Sequence, residues 1–310
     1  MRVGFVGLGT MGKGVVARLL KAGYSLTIND LNESAAQEHL GQAAVWASTP
    51  SEVAARSDVI FLSLPGPTEV RQVVLGENGL SGAIQPGTVV FDLSTNSPRT
   101  VREIHATLAE QNVFFLDAPV SGGPHGAAAG QLAVWVSGDE TVVSQHTSIL
   151  EAMATDIQYL GSIGAASVAK LVHNCVGYIF NSAMAEVFSM GVKAGVDAEK
   201  LFSALRSGAI GRRRSFDSLA NHFLTNNYDP PKFALRLAHK DVALALNVGD
   251  EVGVPMPMAQ LTLQQMNSAI ERGWGNRDSR VAMRLIQELA GVDVYCEPDV
   301  LRTIMDDTKR

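Results

Sequence analysis

Cysteine is nearly absent: Cys175 and Cys296 are the only two in 310 residues. Two widely separated thiols make neither a disulfide framework nor a metal site, so a reducing, cytoplasmic compartment is expected. His105, His125, His146, His222 and His239 have no metal-ligand spacing with carboxylates or cysteines, and no metal is expected. A basic surface is missing as well. The formal net charge is -6, and Arg212-Arg213-Arg214 is the one short cationic run, which argues against a nucleic-acid partner. No signal peptide is expected before the strand-like Arg2-Val-Gly-Phe-Val6. A clean membrane span is also lacking. The apolar stretch from 164 to 190 comes near one, but Lys170, Asn174, Asn181 and Glu186 interrupt it, so a helix buried in protein is expected.

What is there suits a folded globular chain. Hydrophobic residues make up 46% and charged ones 18%, and the length suggests about two domains at roughly 150 residues each. After the first strand comes Gly7-Leu8-Gly9-Thr10-Met11-Gly12, then a helical pattern over Lys13 to Ala22. G-x-G-x-x-G between strand and helix is a dinucleotide-binding signature. Gly7 permits the tight turn, Gly9 lets the backbone approach a pyrophosphate, and Gly12 lets helix and strand pack closely. A second strand, Ser25 to Ile28, leads through Asn29 to Asp30. A carboxylate there suits an adenosine ribose and repels a 2′-phosphate. No arginine follows at Leu31 or Asn32, so NAD is favoured over NADP.

The pattern repeats through Val59–Leu64, Thr88–Phe91 and Val113–Leu116, with helices near 67–74 and 97–110. Strands alternating with helices imply a parallel sheet covered on both faces, with ligands at the carboxyl ends of its strands. Leu64-Pro65, Ser94-Thr95 and Ser121-Gly122-Gly123 all fall at such ends. Leu64 and Pro65 offer an apolar wall and Thr95 a hydroxyl. Ser121, Gly122 and Gly123 offer successive N–H groups that suit a carboxylate. Two more strands, 132–136 and 157–159, flank a helix over 139–152. The first domain is placed at 1–161 and an all-helical second at 162–310.

The second domain opens on a long helix over about 164–193. Lys170 is an ammonium in apolar surroundings, costly unless partnered or used. Asn174 stands four residues on, on the same helix face. His173 between them is expected as a hydrogen-bonded core residue. Asp197 is an N-cap candidate, and further helices are expected over about 212–224, 233–250, 257–272 and 277–290. Lys240 either reaches back to the site or is a solvated lysine. Arg212, Arg213 and Arg214 are either a solvated patch or an anion clamp. The apolar first helix implies a dimer or tetramer.

Five motifs occur in one order: Gly7-Leu-Gly-Thr-Met-Gly12, Leu64-Pro65, Asp117-Ala-Pro-Val-Ser-Gly-Gly123, Gly164-(x5)-Lys170-(x3)-Asn174 and Lys240-Asp241. Together they resemble the β-hydroxyacid dehydrogenases, nearly the whole chain through. That family includes 3-hydroxyisobutyrate dehydrogenase, tartronate semialdehyde reductase, and the threonate and sulfolactaldehyde enzymes. The resemblance implies an α/β fold, with a Rossmann-type sheet followed by a helical domain that mediates oligomerisation. It implies hydride transfer between NAD and a small 3-hydroxy acid or its semialdehyde. It makes Lys170 the catalytic residue, Asn174 a substrate-orienting amide, and Ser121, Gly122 and Gly123 a carboxylate loop. Lys240 falls near nicotinamide and substrate, and Leu64, Pro65, Glu69 and Thr95 at cofactor contacts. His173 departs from the Asn-Asn common in the family, and the tail from Val292 extends past its usual end. A dinucleotide-binding sensor without catalysis is the alternative from another class.

Overall fold

Most strands of the first half are short runs of β-branched and aromatic residues without polar alternation, which demands burial on both faces. In the computed structural model, which describes residues 1–196, 198–212, 220–291 and 295–307, six of them form one parallel sheet. Strands β1 (Val3–Val6), β2 (Leu26–Asn29), β3 (Ala44–Trp46), β4 (Val59–Leu62), β5 (Val89–Asp92) and β6 (Phe114–Asp117) lie in the order β3-β2-β1-β4-β5-β6. Alternate side chains separate to two cores. Phe5, Phe61 and Phe91 stack across neighbouring strands, with centroids 6.2 and 5.4 Å apart. They pack with Val15, Val16 and Leu19 of α1 (Gly12–Lys21). On the other face Val6, Ile60, Leu62 and Val90 meet α3 (Pro67–Leu75) and α4 (Pro98–Ala109) through Val70, Val74, Val101, Ile104 and Leu108. The strand order reverses between β1 and β4, which opens a crevice at their carboxyl ends.

β3 and the short α2 (Pro50–Ala55) carry no periodic signal and were not expected. After Asp30 the chain makes a single 3₁₀ turn, Glu33–Ala36, where the Asn32 side chain accepts the Ser34 N–H. Ser121 does not end a strand of the parallel sheet. It belongs to β7 (Val120–Ser121), which pairs antiparallel with β8 (Leu132–Val136); β8 pairs in parallel with β9 (Ala154–Tyr159). A two-residue strand is too short for its pattern to be read. α5 (Gly123–Ala129) follows it directly. The helix expected over 139–152 divides at His146 into α6 (Glu140–Gln145) and α7 (Thr147–Glu151); the His146 backbone leaves helical geometry at φ -113°, ψ 10°.

By its contacts the chain divides into Met1–Val176 and Gly177–Arg310, a split that falls inside α8 (Ala165–Lys193). The second unit carries α9 (Ala198–Ser207), α10 (Ala209–Arg212), α11 (Leu235–Val252), α12 (Pro257–Glu271), α13 (Arg284–Ala290) and α14 (Pro298–Asp307), with no strand among its described residues. Its core joins Tyr228, Leu235, Ala269, Val281 and Leu285. The helix expected over 277–290 starts instead as a 3₁₀ turn, Ser279–Met283, because the buried Asp278 caps Arg280 and also accepts Lys232 N–H. α14, in the tail, was not expected. The N-cap candidate Asp197 and residues 213–219 lie outside the described residues.

Candidate active site

The glycine-rich turn is built by contact distance. Gly7 has φ +100°, and a Cβ there would fall 2.3 Å from the Ser63 carbonyl oxygen; a Cβ on Gly12 would fall 1.9 Å from that of Gly7. Neither position admits a side chain. Gly9 differs, since a Cβ there would meet nothing within 4 Å, so open space lies above the turn. Leu8 is buried, Met11 half-buried, and Thr10 exposed on the same loop. Leu8 N–H donates to Asp30 Oδ2 at 2.6 Å, and Asn32 N–H to Asp30 Oδ1 at 2.8 Å. Asp30 therefore ties the turn to the end of β2. Asn29 is buried and donates to the Ala47 carbonyl at 2.8 Å, joining β2 to the segment after β3. An open cavity of about 560 Å³ lies beside the turn, lined by Leu8, Lys13, Ser34, Ala35, Gln37 and Glu38. Open room over Gly9 and a cavity at the β2 end fit an extended dinucleotide.

The next two strand ends are held by one buried network. Ser94 Oγ accepts Leu64 N–H at 2.9 Å, and Asp92 accepts Ser94 N–H at 3.0 Å and Asn96 Nδ2–H at 2.8 Å. Leu64, Glu69 and Thr95 are half-buried and Pro65 exposed along this rim. Burial pushes the Asp92 carboxyl up to about 6; the hydrogen bonds from Ser94 and Asn96 oppose this, and the charge of Asp117 adds to it.

Lys170 lies in the second turn of α8, half-buried, with Nζ 5.9 Å from the centroid of the Trp135 ring. Burial lowers its pKa from the ordinary lysine value. The imidazole of His173 stands 5.2 Å from the same ring, and its Nδ1 lies 3.1 Å from Asn174 Oδ1. With that oxygen accepting from the imidazole N–H, the Asn174 amide N–H groups are free to donate elsewhere. His173 is thus not the core residue expected. It is exposed, because this side of α8 faces Trp135 and solvent rather than a closed interior. The helix is not wholly buried either: Val168, Leu171, Val172 and Val176 are all exposed, since one sheet covers only one side of an apolar helix.

Trp135 has no sequence signal beyond its place in a strand. Residue spacing on β8 puts it on the same sheet face as Ala133, which pairs with Ser121. Ser121, Trp135 and, through Trp135, Lys170 therefore share one side of the three-stranded sheet. Gly122 and Gly123 follow with φ +131° and +63°. Lys240 falls within α11, but its side chain lies outside the described residues, as do Arg213, Arg214 and the side chain of Arg212. Among the described residues no cluster of potential ligands could hold a metal, and no helix is long and apolar enough to cross a membrane.

Family models match both halves of the chain. Residues 2–161 match the family described as the NAD binding domain of 6-phosphogluconate dehydrogenase. Residues 164–286 match that described as NAD-binding of NADP-dependent 3-hydroxyisobutyrate dehydrogenase. A 2-(hydroxymethyl)glutarate dehydrogenase of Eubacterium barkeri is 33% identical over 95% of this chain and 97% of its own. An NAD-dependent L-serine dehydrogenase of Pseudomonas aeruginosa is 32% identical over 94% of this chain and 99% of its own. A 3-hydroxyisobutyrate dehydrogenase of known structure from Salmonella typhimurium is 30% identical, covers 92% of this chain and 99% of its own, and superposes with a TM-score of 0.62.

Proposed function

The chain belongs to the β-hydroxyacid dehydrogenase family, and from that premise we propose that it moves a hydride between a nicotinamide dinucleotide and a small 3-hydroxy acid of the hydroxyisobutyrate kind, or its semialdehyde. The observation that carries this reading is Lys170: an amine with a pKa lowered by burial, one helical turn before a side-chain amide. A lysine must lose its proton to act as a base near neutral pH, and burial favours that loss.

In this reading the dinucleotide lies over Gly7, Leu8, Gly9, Thr10, Met11 and Gly12. Asn29, Asp30, Leu64, Pro65, Glu69, Thr95 and Lys240 supply further contacts. When bound, the dinucleotide accepts or supplies the hydride. Lys170 takes the hydroxyl proton in oxidation and returns it to the carbonyl oxygen in reduction. Asn174 donates an N–H to that oxygen and keeps it in line. Ser121, Gly122 and Gly123 receive the carboxylate on backbone N–H groups, and Lys240 adds a positive charge. NAD is preferred to NADP, because the Asp30 carboxylate repels a 2′-phosphate and no arginine stands nearby in sequence to attract one. The exposed Val168, Leu171, Val172 and Val176 support a homodimer or homotetramer that covers α8, and scarce cysteine supports a cytoplasmic setting.

The test is a panel of hydroxyisobutyrate, glycerate, serine, threonate and the corresponding semialdehydes with NAD and NADP, followed by absorbance of the reduced nicotinamide. Turnover of one acid with NAD supports the reading. Tight dinucleotide binding without turnover of any would instead make the chain a sensor.

A further inference from the structure

Lys170 can be in place only if α8 starts in the right place, and the residue before its first helical position, Gly164, has no side chain with which to cap it. The first turn is held from a distance instead. Gly164 N–H donates to Asp117 Oδ1 at 2.9 Å, and Ser167 N–H donates to Asp117 Oδ2 at 2.7 Å. Ser137 Oγ donates to Asp117 Oδ1 and accepts Ala166 N–H at 3.0 Å. Three of the N–H groups that a helix start leaves unpaired are thus satisfied from β6 and from the end of β8. Asp117 is 1% exposed, and Ser137 and Ser167 are wholly buried. Helix starts are ordinarily capped by a neighbouring Ser, Thr, Asp or Asn. A buried carboxylate reaching across from another element costs desolvation, and what it adds is a fixed height and rotation for the helix.

The clamp is also joined to the cofactor side of the crevice. Asp117 pairs in register with Asp92 on β5, and Asp92 holds Ser94 and Asn96. Lys170 follows Ser167 by three residues, less than one turn of rigid helix.

We propose that Asp117, with Ser137 as its hydroxyl partner, is a positioning residue for the proposed reaction: it fixes the first turn of α8 and so keeps the Lys170 amine against Trp135. This rests on reading Lys170 as the proton carrier. An Asp117→Asn chain keeps one acceptor oxygen where two are needed, so the first turn loses a hydrogen bond and gains freedom.

The test compares wild type, Asp117→Asn and Ser137→Ala as full chains. It measures folding by circular dichroism, NAD affinity, kcat and KM. It also follows the pH dependence of Lys170 acetylation by acetic anhydride, read by peptide mass spectrometry. Asp117→Asn is expected to fold and to bind NAD within about twofold. Its kcat should fall by roughly 10- to 100-fold, the cost of a small misplacement of a reacting group. Lys170 should titrate closer to an ordinary lysine. Ser137→Ala should change in the same direction by less. Unchanged kcat and unchanged Lys170 titration in folded Asp117→Asn overturn the proposal. If Asp117→Asn does not fold, the same result in Ser137→Ala overturns it. Should the wild type oxidise no hydroxy acid, the proposed function fails, and the Lys170 titration alone still decides for or against the clamp.

Discussion

Lys170 Nζ lies 5.9 Å from the centroid of the Trp135 ring, at the outer reach of a cation–π contact. Two effects of that ring oppose each other. Its face favours the ammonium by about 0.5–1 kcal/mol at a partly exposed site. Its bulk removes water and favours the neutral amine, and burial lowers the Lys170 pKa. Trp135→Leu is therefore expected to raise the Lys170 pKa. Oxidation needs the neutral amine, so its kcat rises with pH through that pKa, and the rising limb should move to higher pH in the variant. A limb that moves to lower pH would mean that the ring face dominates.

Lys170→Ala should lower kcat by roughly 10²- to 10⁴-fold, the range for loss of a general acid–base group. NAD affinity should stay within about threefold, because Lys170 lies outside the glycine-rich turn. Equal losses in turnover and cofactor binding would assign the lysine to the cofactor.

Asp30→Ala removes the acceptor of Leu8 N–H and the charge at the end of β2 together. NAD should bind roughly tenfold more weakly, as expected for loss of a charged acceptor. NADP should lose less or gain, so the ratio of the two dissociation constants moves toward NADP. Titrations of both cofactors into both chains give that ratio. An unchanged ratio would remove Asp30 from cofactor choice.

Asp92 links the fold to pH. Its carboxyl titrates at about 6 when folded, against 3.8 ordinarily. A carboxyl raised by folding contributes stability that is fully present below the unfolded value and lost as pH rises through the folded one. That difference is worth about 3 kcal/mol between roughly pH 4 and pH 7. Asp92→Asn cannot ionise, so its stability relative to wild type should improve by about that amount over the same range. Urea unfolding at the two pH values measures it, and a gap independent of pH would contradict the assignment.

The nucleotide-side half was legible because its signals are local. A strand such as Val59–Leu62 declares itself by four apolar residues, and Gly7 to Gly12 by spacing. Lys170 and Asn174 stood out because a charge inside an apolar stretch is costly. The contacts that organise the site were not legible, because they join residues far apart in sequence. Asp117 reaches residues 47 and 50 positions on, and Trp135 meets Lys170 only once β8 and α8 are packed. β7 has no sequence signal because two residues cannot show a period, and the exposure of His173 depends on which side of α8 is left uncovered, which spacing along one helix does not show.

The start of α8 belongs to the half that precedes it, and this matters for cutting the chain. A truncated piece ending at Gly161 would strip Gly164, Ala166 and Ser167 from Asp117 and Ser137. Asp117 and Ser137 would then lose three of the N–H groups that they hold in the intact chain. An excised nucleotide-side piece has to run past Ser167 to keep them, and one cut at the Val176 boundary carries Lys170 with it.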